Sequence, residues 1–261
     1  MLIGVTRAVS PRINDCELTF LTRETIDLQR ARKQHRAYEQ LLSNLGVHVV
    51  SLPADPQLPD AVFVEDAAVV VEEGALICRM GTASRRSETP TIAAALRPFR
   101  PLKFVREPAV VDGGDVLRID RTFFVGLSQR TNRDGVAEVG RFLAAYGYEV
   151  RPVAVRNCLH LKTGCTYVGR GVVLINPSWV DAAPFEGLEL IPVDKAEPAA
   201  ANALTVKELV LLPETFPHTR TRLEKQGFRV KTLDISELQK AEAGLTCMSI
   251  IFSAPKGHAC P

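Results

Sequence analysis

The sequence predicts an α/β protein built as a ring of five repeated units, and three observations predict it. A pattern recurs in which a turn with a polar or thiol residue opens a short strand, a small break follows, and a second apolar strand comes next. Its copies are EDAAVVVEEGALIC from Glu65, GDVLRIDRTFFVGL from Gly114, GCTYVGRGVVLINP from Gly164, ANALTVKELVLLP from Ala201 and a truncated TCMSIIFSA from Thr246. A further short strand stands ahead of each copy: VHVVSLP, LKFVREP, YEVRPVAV, LELIPV and FRVKTLDI. Helical stretches lie between the copies.

Taken in order, the N-terminal LIGVTR supplies the strand that the truncated fifth copy lacks, so the ring closes on the chain's own first strand. Residues 25–45, TIDLQRARKQHRAYEQLLSNL, carry apolar residues spaced near 3.6 and stop at Asn44-Leu-Gly46, which predicts an amphipathic helix. Residues 134–146 and 218–227 read as weaker helices that also stop at glycine. One catalytic domain is expected over residues 1–254, with residues 255–261 as a disordered tail. That tail holds His258 and Cys260, a weak metal-ligand pair.

Composition narrows the function classes. At 46% hydrophobic and 24% charged, the 261 residues match an ordinary globular core. A net charge of +2 without a dense Lys/Arg run argues against a nucleic-acid partner. No apolar run reaches the length of a membrane span, and MLIGVTRAVSPR lacks the pattern of a signal peptide. Cysteines 16, 78, 158, 165, 247 and 260 contain no CxxC pair, which favours free thiols in a reducing cytoplasm.

A ring points the residues that open its hairpins toward a shared axis. Those residues are Glu65 and Asp66, Asp112 to Asp115, His160 to Cys165, Asn202, and Thr246 with Cys247. Free cysteine is most often a buried small residue, and a single acid at a turn most often caps local amides. Convergence changes the reading. His160 is a candidate proton carrier beside the Cys247 thiol, while Glu65, Asp66, Asp112 and Asp115 oppose its ionisation. A cationic substrate would reverse that effect, and a planar guanidinium suits carboxylates that grip in two-point fashion. Arg85 and Arg130 follow the second strands of their repeats, either as solvated surface groups or as a clamp for a substrate carboxylate.

The stretches PDAVFVEDAAVV, GTASRRSE, VDGGDVLRIDRTFFVGLSQRTNRDG, LHLKTGC and GLTCMS resemble dimethylarginine dimethylaminohydrolase, of the pentein superfamily of guanidine-modifying enzymes. The resemblance runs from about residue 5 to residue 253 and implies a five-bladed propeller of ββαβ units. It also implies hydrolysis of asymmetric dimethylarginine or monomethylarginine to citrulline and a methylamine. It implies that Cys247 is the nucleophile, that His160 is the general acid and then base, and that Asp112 holds the guanidinium and orients His160. Asp66, with Glu65 beside it, matches a guanidinium-binding carboxylate, and Asp60 a polar substrate contact. Arg85 and Arg130 match groups at the amino-acid end. Leu18 matches the leucine of a mobile lid, and Ala241 a backbone carbonyl for the α-amino group.

Two departures stand out: Asp112 where some relatives have glutamate, and Met248 where some have a second cysteine. The resemblance implies no cofactor and no required metal, although Cys247 and His160 could trap an inhibitory zinc. The expected partner is a small molecule, and related folds occur as monomers and homodimers. An arginine deiminase remains an alternative, although such enzymes usually carry an extra helical domain for which this chain has no room. A non-catalytic pentein used as a binding platform is a second alternative, disfavoured by the convergent Cys247, His160 and acids.

Overall fold

The computed structural model describes residues 1–255, so the remainder of the expected tail, with His258 and Cys260, lies outside the described residues. Among the described residues fifteen strands form five three-stranded sheets with one shared topology. In each sheet the central strand pairs antiparallel with one neighbour and parallel with the other. The first sheet joins both ends of the chain. Its centre is β1 (Leu2–Arg7), antiparallel to β15 (Ile250–Ser253) and parallel to β2 (Val47–Leu52). The ring therefore closes on the N-terminal strand, in the register Leu2 opposite Ser253 through Val5 opposite Ile250.

The other sheets follow in chain order. β3 (Ala68–Val70), β4 (Ala75–Ile77) and β5 (Leu102–Phe104) form the second, and β6 (Val116–Ile119), β7 (Thr122–Leu127) and β8 (Glu149–Ala154) the third. The fourth holds β9 (Cys165–Gly169), β10 (Val172–Ile175) and β11 (Glu189–Pro192). The fifth holds β12 (Leu204–Val206), β13 (Leu209–Pro213) and β14 (Arg229–Leu233). The central strands are short apolar runs buried nearly throughout, because helices and neighbouring units cover both their faces. The result is a five-fold pseudosymmetric α/β propeller.

Between the second and third strands of a sheet a parallel crossover is needed, which a helix usually supplies. α1 (Leu28–Asn44) serves the first sheet, α2 (Thr89–Leu96) the second, α3 (Arg133–Ala144) the third and α5 (Pro217–Lys225) the fifth. The fourth sheet has only a short 3₁₀ turn at Ala183–Phe185 there. α1 begins three residues later than its apolar pattern suggests, because Asp27 caps it by accepting from the amides of Gln29 and Arg30. Gly46 then ends it with a φ of +80° that favours glycine. α2 was not expected from the sequence: eight residues give too short a window for a 3.6 period, and TPTIAAAL is apolar on most of its surface.

A short helical turn precedes every hairpin: Val64–Ala67, Gly113–Asp115, α4 (Leu161–Gly164), Pro198–Ala201 and Thr246–Met248. These turns bring distant sequence together. A last short helix, α6 (Ser236–Gln239), leads into the segment before Cys247. The first strands of the hairpins line a cavity of about 520 Å³, which also receives Glu65, Lys162 and Thr246. Among the described residues no helix is long and apolar enough to cross a membrane.

One buried contact ties α1 to the Cys247 turn. The Tyr38 hydroxyl lies 3.0 Å from the Leu245 carbonyl and 2.6 Å from Ser249 Oγ. Tyr38→Phe strands both partners without changing the ring, and is expected to cost about 1–3 kcal/mol in urea unfolding. A loss below a few tenths of a kcal/mol would show that this hydroxyl does not brace the turn.

Candidate active site

The second unit builds the acid side of the site. Asp66, in the turn before β3, accepts from the Gly114 amide at 3.0 Å and pairs with Arg85 Nη1 at 2.8 Å. Arg85, in turn, makes a two-point pair with Glu88 through Nε at 3.0 Å and Nη2 at 2.9 Å. Gly114 is required at this approach, since a Cβ there would sit 2.7 Å from both Asp66 Oδ1 and His160 Nδ1.

The third unit divides the labour of DGGD between its two acids. Asp112 faces the site, with Oδ2 at 3.0 Å from His160 Nε2 and Oδ1 accepting from the Gly81 amide at 2.8 Å. Asp115 faces the scaffold and accepts from Ser128 (2.6 Å), Thr131 (2.7 Å) and the amide of Leu161 (2.8 Å). It thus fixes the start of α4, the residue after His160. Burial raises Asp115 to about 6 against the opposing effects of His160 and those donors.

His160 lies between two carboxylates, with Nδ1 at 3.7 Å from Asp66 and Nε2 bonded to Asp112. Burial alone would push its pKa down, but Asp66, the Asp112 hydrogen bond and Asp115 outweigh it and lift it to about 9. Asp66 shows the reciprocal balance: burial favours the neutral acid, yet His160, Arg85 and the Gly114 amide bring it to about 2. The site therefore holds an imidazolium at neutral pH. Asp66, Asp112 and His160 also offer ligand atoms within 4.8 Å of one another, a set that does not include Cys247. Those atoms already satisfy one another as an ion and hydrogen-bond network.

Cys247 enters from the last turn. Its Sγ accepts from the Gly244 amide at 3.4 Å and lies 4.0 Å from Asn202 Nδ2. Burial, followed by Glu65 and Asp66, pushes the thiol up to about 12, so the free site holds a protonated thiol beside a charged histidine.

A small cavity of about 20 Å³ joins these groups. Asp60, Asp66, Arg85, Arg130, His160, Ala241 and Cys247 line it, all of them candidates from the sequence. Asp112 stands just behind His160, wholly buried. Glu65 is not in that wall: Lys162 takes one oxygen at 2.5 Å, Thr246 the other at 2.7 Å, and the residue faces the axial cavity instead. Burial dominates its raised pKa over Lys162 and Thr246. Arg85, expected as a carboxylate clamp, is an internal strut whose donors go to Glu88, Asp66 and the carbonyls of Phe63 and Asp60. Arg130 keeps a buried Nη1 without a hydrogen-bond partner.

Leu18 packs partly buried on the cluster that contains Ala241 and Leu245, and Cys247 packs against the same cluster. The loop around it is closed over the cavity. Its Glu17 amide lies 3.2 Å from both Asp60 oxygens, Thr19 Oγ1 accepts from Arg130 Nη2 at 3.0 Å, and Glu242 accepts from successive amides of residues 19–21. Sequence reasoning missed Glu88, Asp115 as a brace, and Glu242. Only Asp115 carried a usable signal, as the second acid of DGGD.

The family model "N,N dimethylarginine dimethylhydrolase, eukaryotic" matches residues 6–250. A Pseudomonas aeruginosa protein named N(G),N(G)-dimethylarginine dimethylaminohydrolase is 35% identical over 228 residues, covering 87% of this chain and 90% of that protein. A protein of the same name from Streptomyces coelicolor is 34% identical over 248 residues, 95% of each chain. The crystal structure of the P. aeruginosa enzyme as a cysteine-to-serine mutant complexed with citrulline superposes with a TM-score of 0.92. That match has 32% identity and covers 96% of this chain and 98% of the other.

The thiol pKa near 12 sets a pH dependence. Below that value each pH unit raises the thiolate fraction about tenfold, so Cys247 alkylation by iodoacetamide should accelerate about tenfold per unit from pH 6 to 8, below the range in which His160 loses its proton. The rate is read by mass spectrometry of the Cys247 peptide. A plateau below pH 8 would mean that the free enzyme already holds a thiolate.

Proposed function

The chain belongs to the dimethylarginine dimethylaminohydrolase family, and we propose that it hydrolyses Nω-methylated arginines to L-citrulline and dimethylamine or methylamine. The observation that carries this reading is that Cys247, His160, Asp66 and Asp60 line one small cavity, where burial with Glu65 and Asp66 holds the thiol protonated and a bound cation offsets those acids. Asymmetric dimethylarginine and monomethylarginine supply that cation as a planar guanidinium. Asp66 accepts its N–H groups, Asp112 orients His160 from behind, and Asp60 makes a further polar contact. Glu65 acts from behind the cavity wall through its charge, while Arg130 takes the substrate carboxylate. Arg85 holds Asp66 in place and adds positive potential at that end. The Ala241 carbonyl receives the α-amino group, and Leu18 covers the bound substrate.

Binding neutralises the acids, and the thiol releases its proton to solvent water. The Cys247 thiolate attacks the guanidinium carbon and forms a C–S bond. His160, already an imidazolium, gives its proton to the methylated nitrogen as the C–N bond breaks, so the amine leaves neutral. A covalent thiouronium remains on Cys247. The now neutral His160 removes a proton from water, whose oxygen bonds to the same carbon. Collapse expels Cys247, which takes up the remaining hydroxyl proton and returns to the thiol, and leaves the urea of citrulline with His160 again protonated. Every proton in this sequence has a named carrier, and no cofactor or metal enters it.

One catalytic unit spans residues 1–254, and each site group comes from that one chain, so the activity holds for a monomer or a homodimer. The same reading assigns a cytoplasmic location, where the thiol stays reduced; Cys16, Cys78, Cys158, Cys165 and Cys247 are all free.

Citrulline release from asymmetric dimethylarginine and from arginine tests the proposal directly. Release from the methylated substrate alone is expected, and Cys247→Ser should lower it at least about a thousandfold while folding unchanged. Turnover of arginine instead would move the chain to a deiminase activity. With neither substrate consumed, the hydrolase reading fails. Arg130→Ala is expected to raise KM far more than it lowers kcat, because it removes a contact to a part of the substrate that does not react.

A further inference from the structure

Among the described residues only a few buried polar side-chain atoms lack a hydrogen-bond partner, and two of them, Nη1 of Arg130 (4.0 Å from the Asp112 carboxylate) and Oε2 of Glu242, belong to residues that line the Cys247 cavity. One is a cationic donor and the other an anionic acceptor. Together they match the head of an α-amino acid, whose carboxylate needs the first and whose ammonium needs the second. Arg130 already has that part in the proposed reaction; Glu242 has none.

Glu242 also has a second duty. Its other oxygen, Oε1, accepts from the backbone amides of Thr19 (2.9 Å), Phe20 and Leu21 (2.7 Å), three consecutive residues of the closed loop. Arg130 reaches the same loop through Nη2, at 3.0 Å from Thr19 Oγ1. Glu242 occupies this position with a φ of +60°, in the left-handed region that non-glycine residues rarely adopt. It directly follows Ala241, and both residues line the cavity. An ammonium has three donors to distribute, which suits two such acceptors.

We propose that Glu242 is a specificity-determining residue that couples the substrate's α-ammonium to lid closure: Oε2 accepts from the ammonium while Oε1 holds residues 19–21. The inference rests on the proposed reading of the site and extends it to the substrate class, an amino acid with a free α-amino group. A guanidine without that group leaves Oε2 buried and unpaired when the lid is shut, and is therefore rejected.

Calorimetric titration with L-citrulline and with 5-ureidopentanoate, the same molecule without its α-amino group, tests this on the full-length protein and on Glu242→Gln. Glutamine keeps one acceptor oxygen for the lid amides and replaces the other with a group that cannot accept. Citrulline should bind the variant at least about tenfold more weakly, and 5-ureidopentanoate should change less than about twofold. Equal losses for the two ligands, or no loss for citrulline, overturn the proposal. The wild type alone provides a control that does not depend on the variant's folding: no preference for citrulline over 5-ureidopentanoate also overturns it. Lid closure is read by trypsin at the exposed Arg23. Citrulline should slow that cleavage and 5-ureidopentanoate should not, whereas equal protection breaks the link between ammonium and lid. Failure of the wild type to release citrulline from asymmetric dimethylarginine overturns the hydrolase reading alone, since the ammonium contact is decided by the affinities.

Discussion

The structure depends on a row of buried charges that alternate in sign around the propeller axis. Glu88 pairs with Arg85 at 2.9 Å, Arg85 with Asp66 at 2.8 Å, and Asp66 with His160 at 3.7 Å. His160 then meets Asp112 at 3.0 Å, and Arg130 stands 4.0 Å beyond. All six side chains are buried. No single member is tolerable there without its neighbours, because breaking a buried pair leaves an uncompensated charge that costs about 3–5 kcal/mol. The ring makes the row feasible. It delivers acids and bases from separate units to the same axis with their backbones held by hairpins.

That row also explains why the nucleophile is held in reserve. Its charges compensate one another, which leaves no surplus cation to stabilise a thiolate at Cys247. The thiol is pushed up to about 12 while His160 is lifted to about 9, the reverse of a preformed thiolate–imidazolium pair. Activation must then come from outside, as a cation that offsets the acids. Such an arrangement spares the thiol from adventitious chemistry and links reactivity to occupancy. The lid follows the same logic, since Asp60, Arg130 and Glu242 bind both the loop and the cavity it covers.

Much of this was legible in one dimension. Hairpin strands announce themselves as short apolar runs between turn residues, and five copies at similar spacing imply a ring whose openings converge. Asp66, Asp112, His160 and Cys247 stand at those openings, so their meeting follows from the repeat. Crossover helices were less legible. α1 has seventeen residues over which a 3.6 period can show, but α2 has eight, and the fourth crossover has no α-helix at all.

The sequence by itself determined the number and order of units, the closure on the first strand, and which residue types reach the axis. These are local properties: strand pattern, turn chemistry and repeat spacing are written within a few tens of residues. Only the tertiary structure decided what each axial group is free to do. Glu65 and Asp66 are neighbours in the chain, yet Lys162 and Thr246 claim the first behind the cavity while the second faces His160. Arg85 and Arg130 look alike in sequence, yet one is consumed by Glu88 and Asp66 and the other keeps a free donor. Apart from Glu88, three residues from Arg85, the partners that set ionisation and availability lie tens to hundreds of residues away, where no local pattern encodes them.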